Sequence, residues 1–254
     1  MKKVILLSLA LLMVFVVSAV SHVPAQLVLN YFPMSPQLAL GGVTGTLWDG
    51  QATDVKWQNS NLGAFNWQLS PLKLLLAKVE AQVRFGRGSD MQILGRGTVG
   101  LSLSGPYANN LIVSLPIDKV LNFVPPLPIP VELSGNVELS VQSMVYDEPY
   151  CQSGNGSLVW NTDKIVTPLA ELTLGPVVAN FSCQNSEIKI AAEQSSQAIS
   201  SAGDLVLNPD RTYQTSAWFK PGEDFPAAFS EQLNWLPSPD GQGRYQFNYQ
   251  GRLN

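Results

Sequence analysis

GTLWDGQATDVKWQNSNLGAFNWQLSP, residues 45–71, decides the fold class of this chain. Val55 and Trp57 alternate with Asp54, Lys56 and Gln58, and Phe65, Trp67 and Leu69 alternate with Asn66, Gln68 and Ser70. A period of two sends successive side chains to opposite faces of an extended chain, so each arm reads as a strand with one buried face. The polar run Asn59-Ser60-Asn61 between the arms predicts a hairpin turn. Trp48, Trp57 and Trp67 fall inside the stretch and are expected on the buried side of the sheet. No acid–base pair, metal cluster or phosphate loop accompanies them, and the hairpin is read as structural.

Outward from this hairpin the same alternation returns. Ala77, Val79, Ala81, Val83 and Phe85 form one apolar row, and Val99, Leu101 and Leu103 form another. Further rows occur at 111–115, 137–141, 188–192, 213–219 and 245–249, separated by breaks such as GRGSD, SGPYANN, LNPDRT and SPDGQG. About a dozen strands among a few short helices predict a mainly β, antiparallel architecture.

The N-terminus follows a different rule. Lys2 and Lys3 precede VILLSLALLMVFVVSAV, residues 4–20, which carries no charge. This run is long for the core of a signal peptide and at the short end for a membrane span. Cleavage after Ser21 or Ala25 would match the small-x-small pattern poorly. We therefore expect residues 1–22 to be a cytoplasmic tip and uncleaved transmembrane anchor, and residues 23–254 to be an exported β-rich domain. Lys2 and Lys3 determine the topology, because the next basic residue is Lys56 and positive charge stays on the cytoplasmic side. Cys151 and Cys183, an even pair in an exported chain, are expected to form a disulfide.

Composition excludes several functions. Charged residues make up 13% of the chain, against about a quarter in an average domain. The net charge of −4 has nothing of the basic footprint of a nucleic-acid binder. The single histidine, His22, directly follows the apolar run, which leaves a Ser-His-Asp site or an imidazole zinc site without its ligands. Asp147 and Glu148 are adjacent, so on a strand they would point to opposite faces and not converge as a glycosidase pair. The glycines of GRGTVG, residues 95–100, precede a strand where phosphate binding needs a helix. No catalytic, cofactor-binding or metal-binding residue is expected, and no cofactor.

Three segments are alike: PAQLVLNYFP from Pro24, PIDKVLNFVPP from Pro116 and PAAFSEQLNWLP from Pro226. Each opens on a proline suited to a first helical turn and closes on Leu-Asn-aromatic-aliphatic-Pro, so each reads as a short helix. A glycine-broken β run follows each one. We expect two related β units, about 24–115 and 116–225, and a partial third at 226–254. GNGSLVW, ending at Trp160, is read as a counterpart of GTLWDG.

The order of these features resembles the type II secretion system protein N family. The features are the apolar N-terminal run, PAQLVLNYFP, GTLWDG with Gly45, Leu47, Trp48 and Gly50, a strand with Trp57, the run LGAFNWQLSPLKLLLAKVEAQV with Trp67 and Pro71, the cysteine pair and the terminal Gly251-Arg252-Leu253. Ala77 departs from the pattern, since a glycine is expected after the leucine run. The resemblance implies a single-pass inner-membrane protein of a Gram-negative bacterium, with its bulk in the periplasm as a curved antiparallel sheet. It implies an accessory role in export of folded proteins through the outer membrane, by contact with the inner-membrane platform and the secretin. The family is also similar to AsmA-like proteins, whose β-grooves are associated with lipid handling, which makes lipid binding the second reading.

Overall fold

A computed structural model of the chain describes residues 2–31, 37–58, 60–121, 130–162 and 164–253. The hairpin is present as β3 (Asp49–Trp57) and β4 (Ser60–Leu69), paired antiparallel with Trp57 opposite Ser60. Its turn falls earlier than expected. Ser60 and Asn61 already belong to β4, and Gln58 takes up the reversal in the left-handed region at φ 54°; Asn59 lies outside the described residues. Irregularities between Ala52 and Lys56 also change which β3 side chains point inward. Gly50, Ala52 and Val55 are buried, whereas Trp57 is 43% exposed and not part of the buried face.

β3 and β4 open a meander. β5 (Val79–Arg87), β6 (Leu94–Ser102), β7 (Gly105–Pro116), β9 (Asn136–Val145), β10 (Ser153–Asn161), β13 (Val177–Gln184), β14 (Glu187–Ser195), β15 (Ile199–Leu207), β16 (Thr212–Pro221) and β17 (Tyr245–Arg252) each pair antiparallel with the next. β1 (Leu38–Gly41) and β2 (Thr44–Gly45) both pair with β3 and complete a sheet of 14 strands. A small sheet of β8 (Glu132–Leu133), β11 (Lys164–Val166) and β12 (Glu171–Thr173) stands apart from it. The mainly β, antiparallel expectation therefore holds among the described residues.

Glycine under an aromatic ring is a recurrent cross-strand device. Gly50 lies opposite Trp67, Gly95 opposite Phe85, Gly100 opposite Tyr107, Gly156 opposite Phe181 and Gly251 opposite Tyr213. In every pair a Cβ on the glycine would collide with the ring. The aromatic covers the strand weakened by the missing side chain, and direct cross-strand pairs are where sheet stability resides.

The cysteines do form a disulfide, Cys151 to Cys183, across a separation of 32 residues. It ties the connection before β10 to the end of β13. Closing a loop of that length stabilises the fold by about 3–4 kcal/mol on the chain-entropy account. The buried hydroxyl of Ser186 supports the same corner, accepting from the backbone N–H groups of Tyr150 and Cys151 and donating to the Cys151 carbonyl.

Helices are short, apart from α1 (Lys2–Ser21), a continuous 20-residue helix. Among the residues whose side chains are described, no helix is long and apolar enough to cross a membrane. In α1 those side chains are 7–8, 11–16 and 18–21; the side chains of Lys2 and Lys3 are outside the description. The proline-led segments give α2 (Ala25–Tyr31), α4 (Ile117–Val120) and α5 (Ala227–Ser230), the last continuing into a 3-10 turn at Glu231–Trp235. The closing residues of the first two segments, including Pro33 and Pro125, lie outside the described residues. GNGSLVW lies within β10, whereas GTLWDG forms the turn between β2 and β3, so the two share no local conformation.

Candidate functional site: an apolar sheet face

Register carries one apolar face from β4 to β17. Phe65, Trp67 and Leu69 stand opposite Phe85, Val83 and Ala81, and Leu111, Val113 and Leu115 opposite Val141, Leu139 and Val137. Leu158 and Trp160 continue the face on β10, Phe181 faces Ile190, and Ile190 faces Leu205. Ala217 and Phe219 meet Phe247 and Tyr245 at the far margin. Few of these side chains are fully buried. The buried apolar residues among those described are Ala25, Ala52, Val55, Val83, Val137, Val141, Ala198 and the two cysteines. Most of the others are half-buried, so the face is apolar and partly covered.

At the first strands the face deepens into a cavity of about 590 Å³. Ala25 and Leu29 of α2 line it on one side, and Leu40, Phe65, Trp67, Phe85 and Val99 line it from the sheet. Among the described residues no charged side chain lines it. Among the described lining residues the one polar side-chain atom, Nε1 of Trp67, is already used, donating to the Leu47 carbonyl at 3.1 Å. Such a cavity suits hydrocarbon and offers nothing to orient a polar substrate.

Of the residues expected to carry the family signature, Leu47 and Trp67 line this cavity. Thr46 and Asp49 close the turn between β2 and β3, the Thr46 N–H donating to the Asp49 carbonyl at 2.8 Å. Gly45 sits there at φ 86°, where any Cβ would meet the Asp49 carbonyl, so only glycine fits. Gly50 lies under the Trp67 ring. Leu47 lines the cavity, and its N–H donates to the Val23 carbonyl. Trp48 is half-buried and bonds back to α1 through its indole. Trp57 stands apart at the opposite end of β3, level with Leu38. Pro71 occupies the first turn of α3 (Pro71–Leu74).

On the other face one polar chain spans three strands. Tyr107 of β7 crosses the bare Gly100 of β6 and donates its hydroxyl to Glu80 of β5 at 2.8 Å. Glu80 also pairs with Lys73 of α3 at 3.4 Å. Burial first, and the Glu80 carboxylate second, push the Tyr107 phenol up to about 12. Further along, Asp240 accepts from the N–H groups of Arg244 and Gln242, which holds its carboxyl well below the usual range. Both arrangements lock loops to strands and present no reactive atom to a cleft. Asp147 and Glu148 are exposed beside each other, and among the described residues no cluster of His, Cys, Asp or Glu is placed to hold a metal ion. The sequence reading overlooked α2 as the roof of the cavity, although Ala25 and Leu29 are four residues apart, the spacing of one helical face.

The described structure offers an apolar sheet face with loops anchored to its strands. Comparison with known proteins gives the class. The model of the family described as Type II secretion system (T2SS), protein N, matches residues 36–248. Type II secretion system protein N of Vibrio cholerae serotype O1 is 47% identical over 240 residues, covering 94% of this chain and 95% of that protein. The protein of the same name from Aeromonas hydrophila is 32% identical over 255 residues, covering 100% of both chains. That of Pectobacterium carotovorum is 26% identical over 254 residues, covering 100% of this chain and 99% of the relative. No solved structure matches. The chain belongs to the type II secretion system protein N family. It is a component of that secretion machinery in the cell envelope, a structural part and not an enzyme.

Proposed function

We propose that this chain is a single-pass inner-membrane component whose β domain lies in the periplasm. It supports export of folded proteins through the outer membrane by binding inner-membrane platform subunits and the secretin. The observation that carries this reading is the open sheet, which among the described residues ends at β17 without pairing back to β1. A free margin accepts a further strand through backbone hydrogen bonds. α1 serves as the anchor: its 20 residues extend about 30 Å, the thickness of the hydrocarbon layer, with Lys2 and Lys3 on the cytoplasmic side. The β domain is a duplication of about 24–115 and 116–225 with a partial unit at 226–254. In support, Pro24, Pro116 and Pro226 each lead directly into a short helix.

A photocrosslinking residue in place of Tyr249, exposed on β17, tests the partner. Adducts with a platform subunit or the secretin are expected in secreting cells; their absence from cells that secrete normally overturns the reading.

A second reading, a β-groove that binds or transfers lipid, is favoured by the apolar cavity under α2. It predicts phospholipid carried through purification of the full chain, and a lipid-free native mass spectrum overturns it.

A further inference from the structure

The end of the sheet that α1 joins carries an apolar patch the fold itself does not bury. β3 begins, β4 ends, β5 begins and β6 ends at this margin, as the pairs Asp49 with Gln68, Leu69 with Ala81 and Val79 with Leu101 require. α1 arrives at the same place. The Trp48 indole donates to the Val20 carbonyl at 2.8 Å, and the Leu69 N–H donates to the Trp48 carbonyl at 2.7 Å. Directly after Leu69, the β4–β5 connection exposes Leu72, Leu74, Leu75 and Leu76, at 76%, 45%, 84% and 67%. The neighbouring β6–β7 turn adds Leu103 at 93%, beside Leu101 at 54%.

These leucines are held in place. The Lys78 N–H donates to the Lys73 carbonyl at 3.1 Å and the Ala77 N–H to Leu74 at 3.0 Å, which closes the end of α3. Lys73 is then tied through Glu80 to Tyr107. Residues 70–78 contain Lys73 and Lys78 and no acidic residue. Rigid leucines flanked by lysines, next to the exit of an apolar helix, match the chemistry of a bilayer surface: hydrocarbon for the leucines and anionic phosphate for the lysines.

We propose that the β4–β5 connection and the β6–β7 turn form a membrane foot. Leu72, Leu75, Leu76 and Leu103 enter the outer leaflet of the membrane that α1 crosses, and Lys73 and Lys78 lie among its phosphates. The proposal rests on the reading of α1 as an anchor. Helix and foot together fix the sheet relative to the bilayer, with β3 to β6 rising from it and the cavity-lining residues Leu47 and Leu69 close to the lipid.

The test uses the full chain in vesicles of phosphatidylethanolamine and phosphatidylglycerol. Both native cysteines are disulfide-bonded, so a nitroxide attaches to one introduced thiol in each of Leu75→Cys, Leu103→Cys, Phe15→Cys and Leu169→Cys. Phe15 reports on α1, and Leu169, in the β11–β12 connection and 59% exposed, reports on the opposite end of the sheet. Labels at 75, 103 and 15 are expected to be relaxed more by dissolved oxygen than by a water-soluble nickel chelate, and the label at 169 the reverse. If 75 and 103 behave like 169 while 15 remains in lipid, the foot is wrong and the anchor stands. If 15 is also reached by the chelate, the anchor fails and takes the foot with it. Shielding of 75 and 103 from both reagents would mean a protein contact and would also overturn the assignment to lipid.

Discussion

The indole Nε1 of Trp48 donates to the carbonyl oxygen of Val20, 2.8 Å away and 28 residues earlier in the chain. Val20 is one of the last residues of α1, whose final carbonyls have no partner inside the helix. A residue of the β2–β3 turn therefore caps the helix, and the bond joins the apolar N-terminal segment to the β domain. Trp48→Phe keeps most of the ring and removes the donor. We expect about 1 kcal/mol of local destabilisation, read as faster amide exchange across residues 19–24, with the unfolding midpoint of the sheet almost unchanged. Unaltered exchange there would show that the bond does not hold the junction.

Gly50 tests the glycine–aromatic device. A Cβ at this position meets the Trp67 ring and lies 2.8 Å from the Thr46 carbonyl. Neither neighbour has room to retreat, because Trp67 is fixed by its bond to Leu47 and Thr46 by its bond to Asp49. Gly50→Ala should destabilise by about 1–3 kcal/mol in urea unfolding and shift the tryptophan emission. A wild-type midpoint would mean that the turn relaxes freely.

Ala77 is the reverse case. It sits at φ 54° at the position after α3 where helices usually end on glycine, and the paired bonds from Ala77 to Leu74 and from Lys78 to Lys73 are those of that ending. A left-handed alanine costs about 1–2 kcal/mol, part of which glycine loses again through its freer unfolded chain. Ala77→Gly should therefore stabilise by about 0.5–1 kcal/mol, measured as a higher urea midpoint at unchanged slope. A lower midpoint would refute this account of the turn.

Tyr107 gives a dependence on pH. Its phenol is raised to about 12 by burial and then by Glu80, so the folded state favours the neutral form. The sign follows from linkage: this contribution is fully present below the ordinary phenol value near 10 and is lost as pH rises through about 12. Absorbance titration near 295 nm, with Tyr107→Phe as the reference, should show one phenol ionising late. In Glu80→Gln it should move down yet stay above the ordinary value, because burial is the larger cause. A late phenol that does not respond to Glu80→Gln would remove Glu80 from the explanation.

Much of the fold was legible because strands with one buried face write a period of two into the chain, as 79–85 and 137–141 do. The errors fall where that period ends. Ala77 and Leu103 continue the apolar rows in sequence but lie in turns, and Leu103 is almost fully exposed. Alternation cannot mark where a strand stops, since hydrogen bonding to the neighbouring strand decides it. Trp57 was misplaced for a related reason. The irregularity in β3 shifts the phase, and a phase shift leaves no trace in side-chain type. The site was less legible still, because the cavity joins α2 to strands up to Val99 and no local pattern encodes that proximity.

The sequence by itself determined the helix-then-sheet order, the alternation that makes a one-faced β domain, the cysteine pair and the family, each written in neighbouring residues or in residue type. Only the tertiary structure decided that one apolar face runs from β4 to β17. It alone set Trp48 on Val20, laid Tyr107 across Gly100 to Glu80, and left the leucines after Pro71 exposed beside the end of α1. The physical reason is register: which residues meet across a sheet depends on pairing, turns and bulges summed over many strands, and a one-residue change anywhere among them reverses the face.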